Sequence, residues 1–229
     1  MFKPTAGLVI IIVLLALALL FSTLGALHHP GIIDTLQQLE DRRQLAAELK
    51  ILIAARGDAL FNDPAAPTAG NPEGDVALVI FFDYNCRHCR EAALNIQQAM
   101  KDDRNLKLVF KEFPILGPTS KFAAVAALAS QKQGKYEAFN RALMGFHGVV
   151  NERTTLTIAE HVGLDVEQLE RDMEDPAIAD AIARNRALAG DLYITGTPAL
   201  VVGDEVIAGV VDVDTLQRSI ANARSKPKV

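Results

Sequence analysis

Apolar and polar positions change period several times along the chain, and each change predicts an element. Residues 6–27 form an uncharged, largely apolar run behind Lys3, long enough at about 1.5 Å per residue to span a hydrocarbon core of roughly 30 Å. Over residues 30–61, Ile32, Ile33, Leu36, Leu39, Leu45, Leu49, Leu52, Ile53 and Leu60 recur at helical spacing among Asp34, Glu40, Asp41, Arg42, Arg43 and Lys50. That pattern predicts an amphipathic stalk or oligomerisation helix. Pro64, Pro67, Gly70, Pro72 and Gly74 then break any regular period, so 62–74 is expected as a turning linker and the compact domain as starting near residue 70. Val76 to Phe82 is a continuous β-branched and aromatic run, the pattern of a strand covered on both faces. From Cys86 the period becomes helical through Ala92, Ala93, Ile96 and Met100, with Asp83 and Asn85 placed to cap the helix. A second strand over 106–110 closes a parallel strand-helix-strand unit. Helical stripes fill about 119–190, among them Phe122, Val125, Phe139, Leu143, Leu156, Ala159, Ile178 and Ile182, and their spacing marks them as core. Residues 199–202 and 206–208 flank Gly203-Asp204-Glu205 as a hairpin, and an amphipathic helix over 212–223 ends the pattern. The fold class is α/β, in the order βαβ, helical block, ββα.

Composition narrows the picture. The chain has 229 residues, 50% hydrophobic and 22% charged, enough to build a packed core and unlike a disordered or fibrous sequence. A formal charge of −5 excludes a nucleic-acid binder driven by phosphate contacts. With Lys3 retained inside, everything after the apolar run is placed outside the cytoplasm. No small-x-small ending follows that run, so residues 1–29 read as an uncleaved inner-membrane anchor in preference to a removed signal peptide. The remaining organisation is a stalk over 30–61 and a domain over 62–229 with a helical insertion at about 118–190. Two cysteines are too few for a disulfide scaffold or a cysteine-only zinc site. In an oxidising compartment they are expected to pair.

Their spacing is what matters. Cys86-Arg87-His88-Cys89 stands where a strand hands over to a helix, so both sulfurs share the first helical turn and the first faces the positive end of the helix. Arg87 and protonated His88 add positive charge, which stabilises a Cys86 thiolate and makes the disulfide a stronger oxidant. Two blander readings compete. A four-residue disulfide ring is a poor structural staple, and a zinc site lacks further ligands, since His28, His29, His147 and His161 have no ligand spacing among them. Gly196-Thr197-Pro198 directly precedes a strand, where a proline without an N–H must take the first or an edge position.

Phe81-Phe82-Asp83-Tyr84-Asn85-Cys86-x-x-Cys89, with Gly70-Asn71-Pro72 before it and Phe113-Pro114, Gly134-Lys135-Tyr136 and Gly196-Thr197-Pro198 after it, resembles the DsbA family of thioredoxin-fold thiol-disulfide oxidoreductases. The resemblance is nearest to the branch of suppressor-of-copper-sensitivity C (ScsC-like) proteins, and it covers about residues 62–224. It implies a thioredoxin fold with an inserted helical domain, Cys86 as the exposed nucleophile, Cys89 as the buried resolving thiol and Pro198 as a cis-proline against the disulfide. By the same resemblance Thr197 binds the client backbone as an added strand, and residues 30–61 sit where the branch carries an oligomerisation helix, which allows a homo-oligomer. Two departures stand out. Many members carry a buried Glu six residues before the nucleophile, where this chain has Ile80, leaving Glu112 or water to relay the proton. The pair between the cysteines is Arg87-His88, and histidine before the second cysteine is the more oxidising pattern.

The implied activity is disulfide formation or exchange in cysteine-containing exported proteins, through a mixed disulfide at Cys86. It needs no cofactor, metal or nucleic acid, and a DsbB-like or DsbD-like membrane partner resets the pair. The alternatives are an oligomeric isomerase or reductase, and a copper-binding module holding Cu(I) on Cys86 and Cys89.

Overall fold

The computed structural model describes Leu15 and residues 30–226. The apolar run expected to cross the membrane therefore lies, but for Leu15, outside the described residues, and among the described residues no helix is long and apolar enough to cross a membrane. The chain divides into two compact units, Met1–Glu48 and Leu49–Val229. In the first, the described chain is chiefly the opening part of helix α1 (Pro30–Ala55), on which Leu36, Leu39 and Leu45 stand exposed.

The second unit begins with the end of α1. The helix expected to run on to residue 61 breaks at Arg56, which leaves helical geometry at φ −110°, ψ 13° before α2 (Gly57–Phe61) restarts. The Arg56 N–H is shared between the Leu52 and Ile53 carbonyls and its side chain bonds Asp191 at 2.9 Å. Ile53 and Leu60, one on each side of the break, are both buried. The stretch expected as linker is also partly ordered into the sheet, because it contains β1 (Thr68–Gly70), whose Thr68 lies opposite Val109. Gly70 ends that strand at φ +79°, where a Cβ would approach the Leu106 carbonyl oxygen to 2.5 Å, so only glycine fits.

The rest follows the period of the sequence. β2 (Val76–Phe82) leads into α3 (Arg87–Asp102) and β3 (Leu106–Glu112). The inserted helices are α4 (Pro118–Ala129), α5 (Tyr136–Gly145), α6 (Glu152–His161), α7 (Val166–Met173) and α8 (Pro176–Asp191), with a 3-10 turn at Ser130–Gln133. The hairpin β4 (Ala199–Val202) and β5 (Glu205–Ala208) and helix α9 (Val213–Ser225) complete the unit. Asn151, Asp165, Asp175 and Asp212 cap α6 to α9 by accepting backbone N–H groups of the first turn.

The strands form one mixed sheet in the order β1-β3-β2-β4-β5, with β2 and β3 parallel and the other pairs antiparallel. Side chains alternate across it. Leu78, Ile80, Phe82, Leu106, Leu108 and Phe110 face a core shared with α3, α9 and the inserted helices. Val79, Phe81, Val109 and Phe113 face a second core with Ile53, Leu60, Leu188 and Leu192. Two ionisable side chains end β3, wholly buried: Lys111, whose Nζ pairs with Asp63 at 2.7 Å, and Glu112.

Candidate active site

The turn from β2 into α3 is built by side chains that reach sideways. Asp83 and Asn85, expected as helix caps, do not cap α3, whose N-cap is Cys86 in extended conformation with no side-chain bond to the first turn. The buried Asp83 carboxylate accepts the Asn85 N–H at 2.8 Å through Oδ1 and the Ile115 and Leu116 N–H groups at 2.9 and 3.0 Å through Oδ2. Asn85 pairs with both backbone groups of Val150: its Oδ1 accepts the Val150 N–H at 2.8 Å and its Nδ2 donates to the Val150 carbonyl at 3.0 Å. Nδ2 also donates to Ser120 at 3.2 Å. Arg90 donates to the Tyr84 carbonyl at 3.2 and 3.0 Å and to the Gly148 carbonyl at 2.8 Å. The turn is thereby tied to the loop after β3 and to the loop before α6.

Both cysteines are free thiols in this structure. Their surroundings differ. Cys86 retains 8% exposure and Cys89 none. The Cys86 thiol donates to the Thr197 carbonyl at 3.3 Å, and the Cys86 carbonyl accepts the Cys89 and Arg90 N–H groups at 3.1 and 3.3 Å, opening α3. Burial pushes the Cys89 thiol far above the usual thiol range; hydrogen bonds from the Asp83 backbone and Thr197 oppose this, and the neighbouring Cys86 adds to it. Thr197-Pro198 is a cis peptide bond, with Thr197 half-buried and Pro198 buried ahead of β4. Of the residues read from the sequence, Cys86, Cys89, Thr197 and Pro198 thus meet in one place. Arg87 and His88 lie exposed on the first turn of α3, and their side chains have no hydrogen-bond partner among the described residues.

Beneath the turn lies a polar cluster. Tyr84 and Tyr136 donate to one oxygen of Glu112 at 2.7 and 2.8 Å, and Asn140 donates to the Tyr84 hydroxyl at 3.0 Å. The other carboxylate oxygen is buried without a partner among the described residues. Burial raises the Glu112 pKa to about 8; the two phenols pull it down and the Asp83 charge adds to the rise. Ile80 occupies the sheet position where a family acid would stand, opposite Phe110, and Glu112 lies two residues further along β3, opposite Phe82. No hydrogen bond joins Glu112 to either cysteine among the described residues, so the proton route expected through it is not built directly. Sequence reading passed over Arg90, Ser120 and Asn140, and took Asp83 and Asn85 for caps. The readable signal was a charged pair, Lys111-Glu112, closing an otherwise apolar strand.

Known proteins share this fold. The family described as DSBA-like thioredoxin domain matches residues 77–221. A thioredoxin-like oxidoreductase from Silicibacter pomeroyi DSS-3 is 53% identical and superposes with a TM-score of 0.73, covering 74% of this chain and 98% of its own. The catalytic domain of Proteus mirabilis ScsC is 26% identical with a TM-score of 0.71, covering 77% of this chain and 99% of its own. Among curated proteins, the Na(+)/H(+) antiporter NhaA 3 of Salinispora tropica is 24% identical over 165 residues, which are 69% of this chain. The chain spans about a quarter, 25%, of that antiporter's length.

Proposed function

This chain belongs to the DSBA-like thioredoxin family, and from that premise we propose that it is a thiol-disulfide oxidoreductase that forms or exchanges disulfides in exported proteins through Cys86 and Cys89. The observation that carries the reading is the asymmetry of the two thiols: Cys86 at the helix terminus, its sulfur bonded to the Thr197 carbonyl beside the cis-proline, and Cys89 sealed beneath it.

In the oxidised enzyme a client thiolate attacks Cys86 Sγ, the Cys86–Cys89 bond breaks, and the electron pair leaves on Cys89. Burial favours the neutral form of Cys89, so the departing thiolate takes up a proton, which disfavours its return. The client's second thiolate then attacks the client sulfur of the mixed disulfide and expels Cys86 as a thiolate. The client loses two electrons, and the enzyme gains them as a dithiol. A membrane redox partner reoxidises it. Arg87 and His88 stand exposed on the same helical turn, on the side a client approaches. Thr197 presents backbone groups to the client, and Pro198 shapes the floor beside the sulfurs. The apolar run near the N-terminus supports an extracytoplasmic location, held at the inner membrane.

Replacing Cys86 by Ser is expected to abolish insulin reduction, whereas Cys89→Ser accumulates client-linked mixed disulfides on non-reducing gels. A wild-type protein inert toward insulin yet tight for Cu(I) would overturn the exchange reading in favour of a copper module.

A further inference from the structure

Away from the cysteine turn, α3 and α5 flank a cavity of about 630 Å³ over the sheet. That volume lies within the roughly 300–1,000 Å³ of sites that take small molecules. Its floor is the sheet face of Ile80, Phe82, Leu106, Leu108 and Phe110, and its walls include Ala93, Ile96 and Met100 of α3 and Met144 of α5. Leu106 and Phe110 lie on one strand, near its two ends, so the apolar floor runs about 13 Å. At the end nearest the start of β3 the lining carries Lys101, in the last turn of α3, and Arg104 in the loop that follows. Both are exposed, and neither side chain has an ion-pair or hydrogen-bond partner among the described residues. The other charges of the lining are already matched, Asp103 by Arg224 at 2.7 Å and Glu137 by Arg141 at 2.5 Å. The cavity is thus apolar along its floor and carries two unmatched positive charges at one end.

We propose that this cavity binds a single-chain anionic amphiphile, a fatty acid or a lysophospholipid, with its acyl chain along β3 and its head between Lys101 and Arg104. Each methylene taken from water adds to the affinity, and a floor of about 13 Å accommodates an extended chain of roughly ten carbons. At about 30 Å³ for a water-sized group, the cavity has room for about twenty such groups, so lauric acid fits. An anionic head is preferred to a neutral one because each exposed cation at the rim favours it by about threefold, and a guanidinium meets a carboxylate or phosphate at two points. A peptide is a poorer match, since its backbone carries polar groups that this floor cannot satisfy. At the far end of the floor the lining includes Asn140, whose Nδ2 donates to the Tyr84 hydroxyl at 3.0 Å, so the tip of the chain lies toward the polar cluster beneath the cysteine turn. Binding here is independent of the exchange chemistry at Cys86.

The test uses the full-length protein in phosphatidylcholine nanodiscs with a diazirine-bearing lauric acid, photolysed and mapped by mass spectrometry of proteolytic peptides. Label is expected in the peptides that hold residues 93–110 and 137–144. Laurate and lauroyl-lysophosphatidylglycerol are both expected to displace it, and the one that does so at lower concentration identifies the head group. Monolaurin serves as the neutral competitor with the same chain. The half-displacing concentration of monolaurin divided by that of laurate is compared between proteins, so that partition into the disc cancels. Lys101→Gln combined with Arg104→Gln is expected to cut this ratio about tenfold, the product of two rim charges. Ala93→Phe fills the cavity and is expected to remove the label from both peptides, while its insulin reduction, equal to that of the wild type, reports an intact fold. Label confined to the apolar run near the N-terminus, a ratio that the double variant leaves unchanged, or label undiminished in Ala93→Phe overturns the proposal. Insulin reduction by the wild type is read separately, so the exchange reading stands or falls on its own.

Discussion

Replacing Glu112 by Gln tests the chemistry of the buried cluster directly. The carboxyl is wholly buried, and its pKa in the folded protein is about 8 against an ordinary 4.5. The folded state therefore holds this proton more tightly than the unfolded chain. Between pH 4.5 and about 8 the unfolded chain binds fewer protons there, so stability falls as pH rises through that window. Below the window there is no penalty, and above it the penalty is complete. At about 1.4 kcal/mol per pKa unit, the separation of the two values corresponds to about 5 kcal/mol at full ionisation and about 3 kcal/mol at pH 7. Glutamine keeps an oxygen for the Tyr84 and Tyr136 hydroxyls and cannot ionise. The assay is urea unfolding of the reduced wild type and variant at pH 5, 7 and 8, compared as a difference so that Cys89, raised in both, cancels. Relative to the variant, the wild type should lose several kcal/mol between pH 5 and 8. Parallel pH profiles would refute the argument, because they would mean that the carboxyl is solvated or ionised at no penalty.

Two further outcomes follow from charges and caps elsewhere. Removing Asp63 by Asp63→Ala leaves the wholly buried Lys111 ammonium, already pushed down by burial and raised only by that partner, without a counter-charge; urea unfolding should show a loss of about 3–5 kcal/mol, and a loss below about 1 kcal/mol would show that the pair is hydrated. Asn151→Ala deletes one half of the reciprocal cap with Thr154 at the start of α6 and should destabilise the protein by about 1 kcal/mol, with Asn151→Ser close to neutral by thermal unfolding.

The sheet was legible wherever period alone decides. Val76 to Phe82 is apolar throughout because β2 is the central strand, covered on both faces, and the change of period at Cys86 falls at the observed start of α3. The hairpin and the inserted helices could be read for the same reason. β1 could not, since three residues between prolines carry no period, and they are strand only because β3 lies alongside, some forty positions away in sequence. The break at Arg56 has a local mark in the Gly57 that follows it, but that Ile53 and Leu60 are buried on either side of it is tertiary and has none. At the site, the cysteine pair was readable from its spacing, and Thr197-Pro198 only through the family resemblance. The roles of Asp83 and Asn85 were not: either residue just ahead of a helix looks like a cap, and only the folded chain brings Leu116 and Val150 within their reach.

The end of β3 also works as a key for strand alignment. Lys111 and Glu112 are neighbours in sequence and point to opposite faces of the sheet, one toward a carboxylate and the other toward two phenols. Sliding the strand by a single position would exchange them. It would bring an ammonium group up to Tyr84 and Tyr136 and set a carboxylate against Asp63. An apolar pair would tolerate either alignment, whereas an ammonium paired with Asp63 and a carboxyl bonded by two phenols accept only the one that also brings Glu112 beneath the cysteine turn.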